Sequence, residues 1–396
     1  MFEKIIDPYR GLSKEVWFMA LTMLVNRAGA MVIPFLSLYL TSHLGFSLNQ
    51  VGWILSFYGF GSVAGVFMGG KLSDRLGYYK VMYLSLIATG IVFFIIQYIT
   101  NFYTLCAGIF VLTFVADTFR PAVWVALDDY SEPESRTRSV TLIRLAINLG
   151  FSLGPALGGL IIMYLSYSSL FIVDGVTCLL ASIIIIVFLR QKSALKRKDE
   201  KTDTPKISPY SDGDYLIFWL GMFLMAFIFM QVFSTIPLYY KQVLGLEESH
   251  IGLLLAMNGL LIFVLEMPIV NSLEKGKLGN LKIIVAGSFL LVLSFLVLNI
   301  GHWVGFAIIG IVFMTFGEML GFPFSNAYAI RRSRKGSQGA YMAMYSMSFS
   351  VAHILGPNIG MQFSEKFGFE STWYLMGAIG LVVCFIFLYL QRKGSL

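Results

Sequence analysis

Long uninterrupted apolar runs dominate the pattern of hydrophobic and polar positions along this chain. The run from Val81 to Thr100, for example, contains no charged residue. A helix of about 20 apolar residues crosses the hydrocarbon core of a bilayer, whereas barrel strands are about 10 residues long and alternate in polarity. The pattern therefore predicts an all-α membrane protein with twelve transmembrane helices, at residues 15–41, 48–72, 79–99, 102–128, 138–165, 169–190, 214–241, 249–271, 281–300, 303–330, 339–363 and 370–391.

A repeat and a polar linker divide these segments into two groups of six. The stretch after residue 190 is charged and contains two prolines, which is typical of a linker. It predicts an N-terminal half at 1–190, a cytoplasmic linker at 191–213 and a C-terminal half at 214–396. Gly52 aligns with Gly252, and Gly154-Pro155 aligns with Gly356-Pro357, at an offset of 200 to 202 residues. Such an offset indicates internal duplication.

Composition and charge support a membrane location and give an orientation. The chain of 396 residues is 57% hydrophobic and only 13% charged, with a mean hydropathy of +0.76. With the N-terminus in the cytoplasm, cytoplasmic segments hold 24 of the 29 Lys and Arg residues and outer loops hold two. This asymmetry follows the positive-inside rule. We therefore expect a multi-pass protein of the plasma (inner) membrane with both termini cytoplasmic.

The same features exclude several partners and cofactors. The basic residues are spread over short loops, so the charge predicts topology and no nucleic-acid partner. The cysteines all fall inside apolar segments, which predicts neither a disulfide framework nor a metal site: Cys106, Cys178 and Cys384. The polar start and the full spanning length of the first apolar run predict no cleavable signal peptide. No cofactor is expected.

A charged turn follows the second segment and carries the most specific motif. Gly70, Asp74, Arg75 and Gly77 stand in the order G-x-x-x-D-R-x-G. This motif resembles the signature loop of the major facilitator superfamily, in which the Asp and Arg latch the two halves on the cytoplasmic side. The resemblance implies a cytoplasmic gate that stabilises an outward-facing state and that Asp128, at the end of the fourth segment, joins. A basic turn that only sets topology, and a solvated helix end at Asp128, stay open as alternatives.

The fifth segment carries a second motif, G-x-x-x-G-P-x-x-G-G. It resembles the antiporter motif of the drug:proton antiporter branch of that superfamily. Its glycines and proline permit a kink and a close helix contact. Plain helix packing is the alternative, which the partial copy in the C-terminal half favours. The motif residues are Gly150, Gly154, Pro155, Gly158 and Gly159.

Ionisable residues inside the predicted helices are candidates for a functional site, because charges are costly at that depth. Asp117 and Arg120 share a helix face at i and i+3. Asp174 lies about one turn inside the sixth segment, where we expect it to reach water, and His353 is expected to be a packed polar residue. The candidates for proton coupling or substrate binding are Asn26, Arg27, Asp117, Arg120, Arg144, Asn148, Glu266 and Glu318.

These carboxylates offer a way to couple transport to protons. Desolvation favours a protonated carboxyl group, whereas a nearby Arg favours the ionised form. A change of pairing between two conformations therefore binds and releases a proton. A structural ion pair is the alternative for Asp117, and a local hydrogen bond is the alternative for Glu266 and Glu318. Those two glutamates are the preferred candidates for a proton carrier or a cation site, because no charged residue lies within four positions of either.

The predicted function is secondary active transport by alternating access, with proton-coupled export of small amphipathic molecules. A looser resemblance to the proton-coupled oligopeptide transporters implies the alternative, a symporter that imports peptides or other polar nutrients. It rests on Arg27, Arg120-Pro121 and Glu318. A receptor or scaffold is a further alternative, in which neutral replacements of these charges leave activity intact. We find no nucleophile–base pair, so no enzyme is predicted. The expected partners are a small-molecule substrate, protons and lipid, and one chain suffices as a monomer.

Overall fold

The computed structural model describes residues 12–132, 135–190, 208–275, 278–333 and 338–394. Within these ranges every regular element is a helix, and none is a strand. The all-α prediction is therefore confirmed. The α-helices are α1 Lys14–Ala28, α2 Val32–Leu38, α3 Leu48–Leu76, α4 Tyr78–Ile96, α5 Phe102–Asp117, α6 Phe119–Tyr130, α7 Arg136–Tyr164, α8 Tyr167–Phe188, α9 Gly213–Phe229, α10 Thr235–Gln242, α11 Glu248–Lys275, α12 Asn280–Leu296, α13 Val304–Ser333 and α14 Gln338–Arg392.

Eleven helical stretches in this described part are long and apolar enough to cross a membrane. Three of them join two shorter helices: α1 with α2, α5 with α6, and α9 with α10. The last stretch, Ala340–Arg392, is 53 residues long. It contains a non-helical residue, Gly368, with φ of +82°, a backbone conformation that glycine adopts without a steric penalty. The count of twelve spans stays a prediction.

The chain forms two compact units. Unit 1 contains Met1–Phe35, Phe57–Asp199 and Glu248–Leu260. Unit 2 contains Leu36–Ser56, Glu200–Glu247 and Leu261–Leu396. The predicted linker falls largely on residues 191–207, which lie outside the described ranges.

The core of unit 1 joins α1, α4, α6, α7 and α8. Small residues let these helices approach each other closely, and Ala122, Ala126 and Ala181 are fully buried. Aromatic residues fill the wider gaps, and the rings of Tyr78 and Tyr130 meet edge to face with centroids 5.9 Å apart. Close backbone approach and van der Waals packing hold helices together where lipid provides no hydrophobic driving force.

A break in the first predicted segment positions the end of α1. The helix stops at Ala28, and α2 begins at Val32. Gly29 lies so close to α8 that a Cβ there would overlap the side chain of Thr177. The break leaves backbone N–H groups without a helical acceptor, and it places Arg27 in the last turn of α1, where the helix dipole favours a cation.

A second break separates α5 from α6 at Thr118. Pro121 explains it, because proline has no N–H to donate to the carbonyl of Asp117, four residues earlier. Pro121 lies in the first turn of α6, where the missing donor is tolerated. The break sets Asp117 at the end of one helix and Arg120 near the start of the next.

Unit 2 contains a comparable break, at Met230–Phe233 between α9 and α10. Gln231 is fully buried there. Its Nε2 donates to the carbonyl of Gly356 at 2.9 Å, and its Oε1 accepts from Thr235 at 2.8 Å. A neutral side chain therefore links this break to α14.

A buried charge cluster ties three helices of unit 2 together. Asp212 accepts from Arg332 Nε at 2.8 Å and from its Nη2 at 2.6 Å, and from the hydroxyl of Tyr341 at 3.0 Å. Asp214 accepts from Arg332 Nη2 at 3.3 Å and from Lys393 Nζ at 2.7 Å. No sequence pattern predicts this cluster, because Asp212 and Arg332 are far apart along the chain.

Candidate functional site

A cavity inside unit 1 collects most of the charged candidates of that unit. Its empty volume is about 620 Å³, including the part that is open to the exterior. Its wall combines polar, charged and aromatic residues from seven helices, together with the break after α1. The lining residues are Asn26, Arg27, Gly29, Ala30, Ile33, Tyr58, Leu86, Thr89, Phe93, Thr113, Ala116, Asp117, Phe119, Arg120, Asp174 and Cys178.

Asp117 is held by two side chains. Arg120 Nε lies 3.2 Å from Asp117 Oδ1, and Ser62 Oγ donates to Asp117 Oδ2. The carboxylate is buried, whereas the side chain of Arg120 is 49% exposed. The predicted pairing of Asp117 with Arg120 is therefore present, and Ser62 on α3 is a further partner that no sequence pattern predicts.

Arg27 lies on the same cavity with part of its guanidinium unsatisfied. Its Nε is buried and has no hydrogen-bond partner among the described residues. The guanidinium carbon lies 5.4 Å from the ring centroid of Phe151, a distance at which a cation is attracted by the ring. Arg27 therefore retains a donor for a further acceptor.

Asn26 reaches across to α8. Its Nδ2 donates to Cys178 Sγ at 3.6 Å. Cys178 is one of the three free cysteines and is buried. The contact fixes the amide of Asn26 at the cavity wall, next to Arg27.

The expectation that Asp174 reaches water is wrong. Asp174 is 1% exposed and accepts from the backbone N–H of Met31 and of Val32, both at 3.0 Å. The break after α1 is the physical reason, because it leaves these two donors pointing at α8. A count of helical turns cannot show such a break.

Four predicted candidates lie away from this cavity. Arg144 is exposed on α7, and Asn148 is half-buried on the same helix. Neither lines the cavity. Glu266 is buried and Glu318 is half-buried, and both belong to unit 2. Their roles stay predictions.

The predicted cytoplasmic gate lies at the end of α3. Asp74 and Arg75 are exposed, and neither forms an ion pair with another described residue. Gly77 has φ of +84° and separates α3 from α4, which requires glycine. A Cβ on Gly70 would meet open space. Asp128 is half-buried in α6. The latch stays a prediction.

The motif in the fifth predicted segment packs α7 against two other helices. A Cβ on Gly150 would lie 2.5 Å from the Cβ of Arg27, and one on Gly154 would lie 3.3 Å from the Arg27 carbonyl oxygen. On another side of α7, a Cβ on Gly159 would lie 2.6 Å from the Glu248 carbonyl oxygen in α11. These glycines set the distance between α7 and the charged end of α1.

The remaining motif residues, Gly158 and Pro155, also lie in close helix contacts of α7. A Cβ on Gly158 would lie 2.9 Å from the ring of Phe35. The carbonyl of Pro155 faces Gly252, where a Cβ would overlap it. Close packing therefore accounts for the motif glycines, and the antiporter role stays a prediction.

The buried charges, the glycine spacing and the helical spans are all typical of membrane transporters, and sequence comparison identifies the family. Residues 17–357 and 276–395 match the Major Facilitator Superfamily. The chain belongs to this superfamily. The family and its relatives are transporters and not enzymes, which confirms the corresponding predictions. Within the described residues, no group of three or more His, Cys, Asp and Glu side chains is placed to hold a metal.

Relatives within the superfamily cover nearly the whole chain at low identity. The uncharacterized MFS-type transporter YqjV of Bacillus subtilis is 24% identical, over 90% of this chain and 88% of its own length. The Na(+), Li(+), K(+)/H(+) antiporter of Planococcus maritimus is 23% identical, over 92% and 93%. The multi-drug resistance efflux pump PmrA of Streptococcus pneumoniae is 23% identical, over 90% of both chains.

Solved structures share the superfamily fold. The peptide transporter POT in complex with sulfate has a TM-score of 0.81 at 16% sequence identity, and covers 97% of this chain and 96% of its own. At this identity the similarity shows the fold alone.

Proposed function

We propose that this transporter couples the inward flow of protons to the export of small amphipathic molecules. The observation that carries the proposal is Asp117, a buried carboxylate in a cavity wall inside membrane-spanning helices, with Arg120 and Ser62 as its partners. Ionisable groups at such depth are expensive and serve transport in many membrane proteins.

The chemistry is an exchange of partners at Asp117. A proton from the outer side binds one carboxylate oxygen, which ends the ion pair and leaves Arg120 free to contact another acceptor. Release of that proton to the cytoplasm restores the pair. If the two forms favour different conformations of the transporter, proton flow drives alternating access.

Twelve spans in two repeated halves, with both termini in the cytoplasm, are part of this proposal. Close packing in the two halves supports the repeat. A Cβ on Gly154 would lie 3.4 Å from the carbonyl oxygen of Ala28, beside the break after α1. A Cβ on Gly356 would lie 3.0 Å from the carbonyl oxygen of Phe227, beside the break after α9. Substrate sites in transporters with such repeats lie near the midplane of the bilayer.

The names of sequence relatives favour exchange over symport. One relative is an antiporter of alkali cations and protons, and another is a multidrug efflux pump. Both cover about nine tenths of this chain. We therefore place export ahead of import, in the plasma membrane and with a single chain as the working unit.

Import of small molecules that carry a carboxylate is the second candidate. Arg27 and Arg120 both line the cavity, and the unsatisfied Nε of Arg27 favours an anionic group. Guanidinium groups bind carboxylates through paired hydrogen bonds. A dipeptide or another polar nutrient offers such a group, and protons then move in the same direction as the substrate.

Transport by the purified full chain in proteoliposomes, under an imposed pH gradient, tests the two candidates. A lipophilic cation and a dipeptide are offered side by side. Export predicts that the cation moves against the proton flow, and that the dipeptide does not move. Accumulation of the dipeptide along the proton flow would replace the first candidate with the second. Movement of neither probe would contradict both substrate classes.

Arg27→Gln separates the two candidates further, with Arg331→Gln as its matched control. Arg331 is an exposed arginine near the end of α13. Loss of dipeptide transport in the first variant but not in the second would support import through the unsatisfied guanidinium. Export of a cation predicts that Arg27→Gln transports the cation at least as well as Arg331→Gln, because the guanidinium of Arg27 repels a cation.

A further inference from the structure

Asp174 is a second buried carboxylate in the cavity wall, and the proposed function does not use it. Its two oxygens each accept one backbone N–H, from Met31 and from Val32. Met31 ends the break and Val32 begins α2, so the carboxylate holds the start of α2 against α8. Asp174 forms no ion pair with any described residue.

The comparable break in unit 2 shows that a carboxylate is not needed to build such a feature. Gln231 joins the break at Met230–Phe233 to α14 with neutral hydrogen bonds. Gln231 also donates to the carbonyl of Phe227 and accepts from the hydroxyl of Thr235. The carboxylate of Asp174 is therefore not required to hold such a break, and what distinguishes it from a neutral side chain is that it can bind a proton.

Asp174 is buried but lies in the wall of the cavity, which offers protons a route, and no described side chain forms an ion pair with it. It lines the same cavity as Arg27 on α1, Asp117 on α5 and Arg120 on α6. The other titratable groups on that wall are Tyr58 on α3 and Cys178 on α8 itself. The helices α4 and α7 also pack against α8. The wall contributed by α4 consists of Leu86, Thr89 and Phe93, and α7 contributes no lining residue.

We propose that Asp174 is a proton-binding site, separate from Asp117, whose protonation releases the start of α2 from α8. A proton from the cavity bonds to one carboxylate oxygen. That oxygen becomes a hydroxyl, which accepts more weakly than a carboxylate oxygen, so its hydrogen bond from Met31 or Val32 weakens, while the other oxygen keeps its bond. Loss of the proton restores both bonds. The inference goes beyond the proposed function and holds for any substrate.

Hydrogen exchange of the wild-type chain in proteoliposomes tests the release without any variant. Exchange rates are corrected for the intrinsic effect of pH. We expect protection of the peptide that contains Met31 and Val32 to fall about tenfold on acidification, the factor that corresponds to one hydrogen bond. The peptide that contains Gln231 and Thr235 is the internal control, because its break has no ionisable group. Equal pH dependence of the two peptides would overturn the proposal.

Infrared difference spectroscopy tests the proton itself. Acidification of the wild type produces C=O stretching bands of protonated carboxyl groups. We expect Asp174→Asn to remove one component of this signal, and Asp117→Asn to leave that component in place. If every component survives in Asp174→Asn, the proposal is wrong. Asp174→Glu keeps a carboxyl group, so its band should shift and not vanish, which provides the test if the Asn variant does not fold.

Neither readout contains a substrate or a proton gradient. Failure of the transport assay therefore leaves this inference untouched, and failure of these two measurements leaves the role of Asp117 untouched.

Discussion

The buried pair of Asp212 and Arg332 gives unit 2 an electrostatic contact whose loss is measurable. Both side chains are less than a tenth exposed, and two hydrogen bonds join them. Removal of one partner from such a pair leaves an uncompensated buried charge, which costs about 3 kcal/mol. We expect Asp212→Asn to lower the free energy of unfolding by about that amount, seen as a lower apparent Tm in detergent.

Lys393→Ala is the matched control for that prediction. Lys393 also contacts the cluster, through Asp214, but its side chain is half exposed, and solvent screens such a pair. Its replacement should leave the apparent Tm unchanged within error. Equal effects of the two variants would contradict the idea that burial makes the Asp212 contact strong.

The same pair predicts how stability depends on pH. Burial alone would raise the pKa of Asp212, which precedes the span Gly213–Gln242, but hydrogen bonds from Arg332 and Tyr341 outweigh burial. The pKa of Asp212 therefore lies below its ordinary value of 3.8. The unfolded chain then binds more protons than the folded chain as pH falls, so the contribution is complete above the ordinary pKa and is lost through the lowered one.

Thermal scans of the wild type and Asp212→Asn between about pH 7 and about pH 3 measure this contribution. The gap in apparent Tm should be constant near neutral pH and should narrow below about pH 4. A gap that persists to the acid end would show that the hydrogen-bond geometry, and not the charge, stabilises the cluster.

At the scale of helices, glycines on one face of α3 set its distance from α5 and α6. A Cβ on Gly65 would overlap the carbonyl oxygen of Phe114, which is backbone and cannot rotate away. Overpacking of this kind costs about 1–3 kcal/mol. We expect Gly65→Ala to lower the apparent Tm and the yield of folded protein.

Gly70→Ala is the control on the same helix. Gly70 has open space around it, so alanine should leave stability unchanged or improve it slightly through its higher helix propensity. If both variants lose stability equally, close packing is not the reason for the glycines on this face.

The sequence predicts the helices well, because about 20 apolar residues are needed for each span and nothing else produces that pattern in a chain of low charge. It does not predict where a span breaks. Pro121 is plain in the sequence, yet the break after Ala28 depends on α8, more than a hundred residues further along the chain. The contacts are those of Gly29 with Thr177 and of Met31 with Asp174. Breaks of this kind result from tertiary packing, which no local periodicity records.

The candidate site was predictable to the same extent. A charged side chain inside a membrane costs free energy, which made Arg27, Asp117 and Arg120 candidates, and all three line one cavity. Ser62 could not be singled out from the sequence, because a neutral serine inside a membrane helix costs little free energy and does not stand out as a charged residue does. Arg144 is exposed and does not line the cavity, because position along a helix does not determine which face a residue occupies; its role stays a prediction.

At the scale of the whole transporter, the question is which carboxylate couples proton flow to substrate movement. Asp117 belongs to unit 1, whereas Glu266 and Glu318 belong to unit 2. Asp117 lines the cavity and forms an ion pair with Arg120, so its protonation changes a charge pair in the cavity wall. We therefore expect Asp117, and neither glutamate, to be the group that a pH gradient acts on.

Two transport modes distinguish coupling from binding. Substrate counterflow without a gradient needs only binding and the conformational change, whereas accumulation under a pH gradient also needs the proton site. Asp117→Asn is uncharged in both conformations. It should lose gradient-driven accumulation by at least about tenfold, the factor that corresponds to about 1.4 kcal/mol, and should retain counterflow.

Glu266→Gln and Glu318→Gln are the matched comparisons, since each removes one carboxylate from unit 2. We expect both to keep gradient-driven accumulation. Loss of accumulation with intact counterflow in either glutamate variant, together with normal coupling in Asp117→Asn, would move the proton site to unit 2. Loss of both modes in Asp117→Asn would instead make the Asp117–Arg120 pair a structural contact, because a protein that cannot exchange substrate has lost more than its coupling.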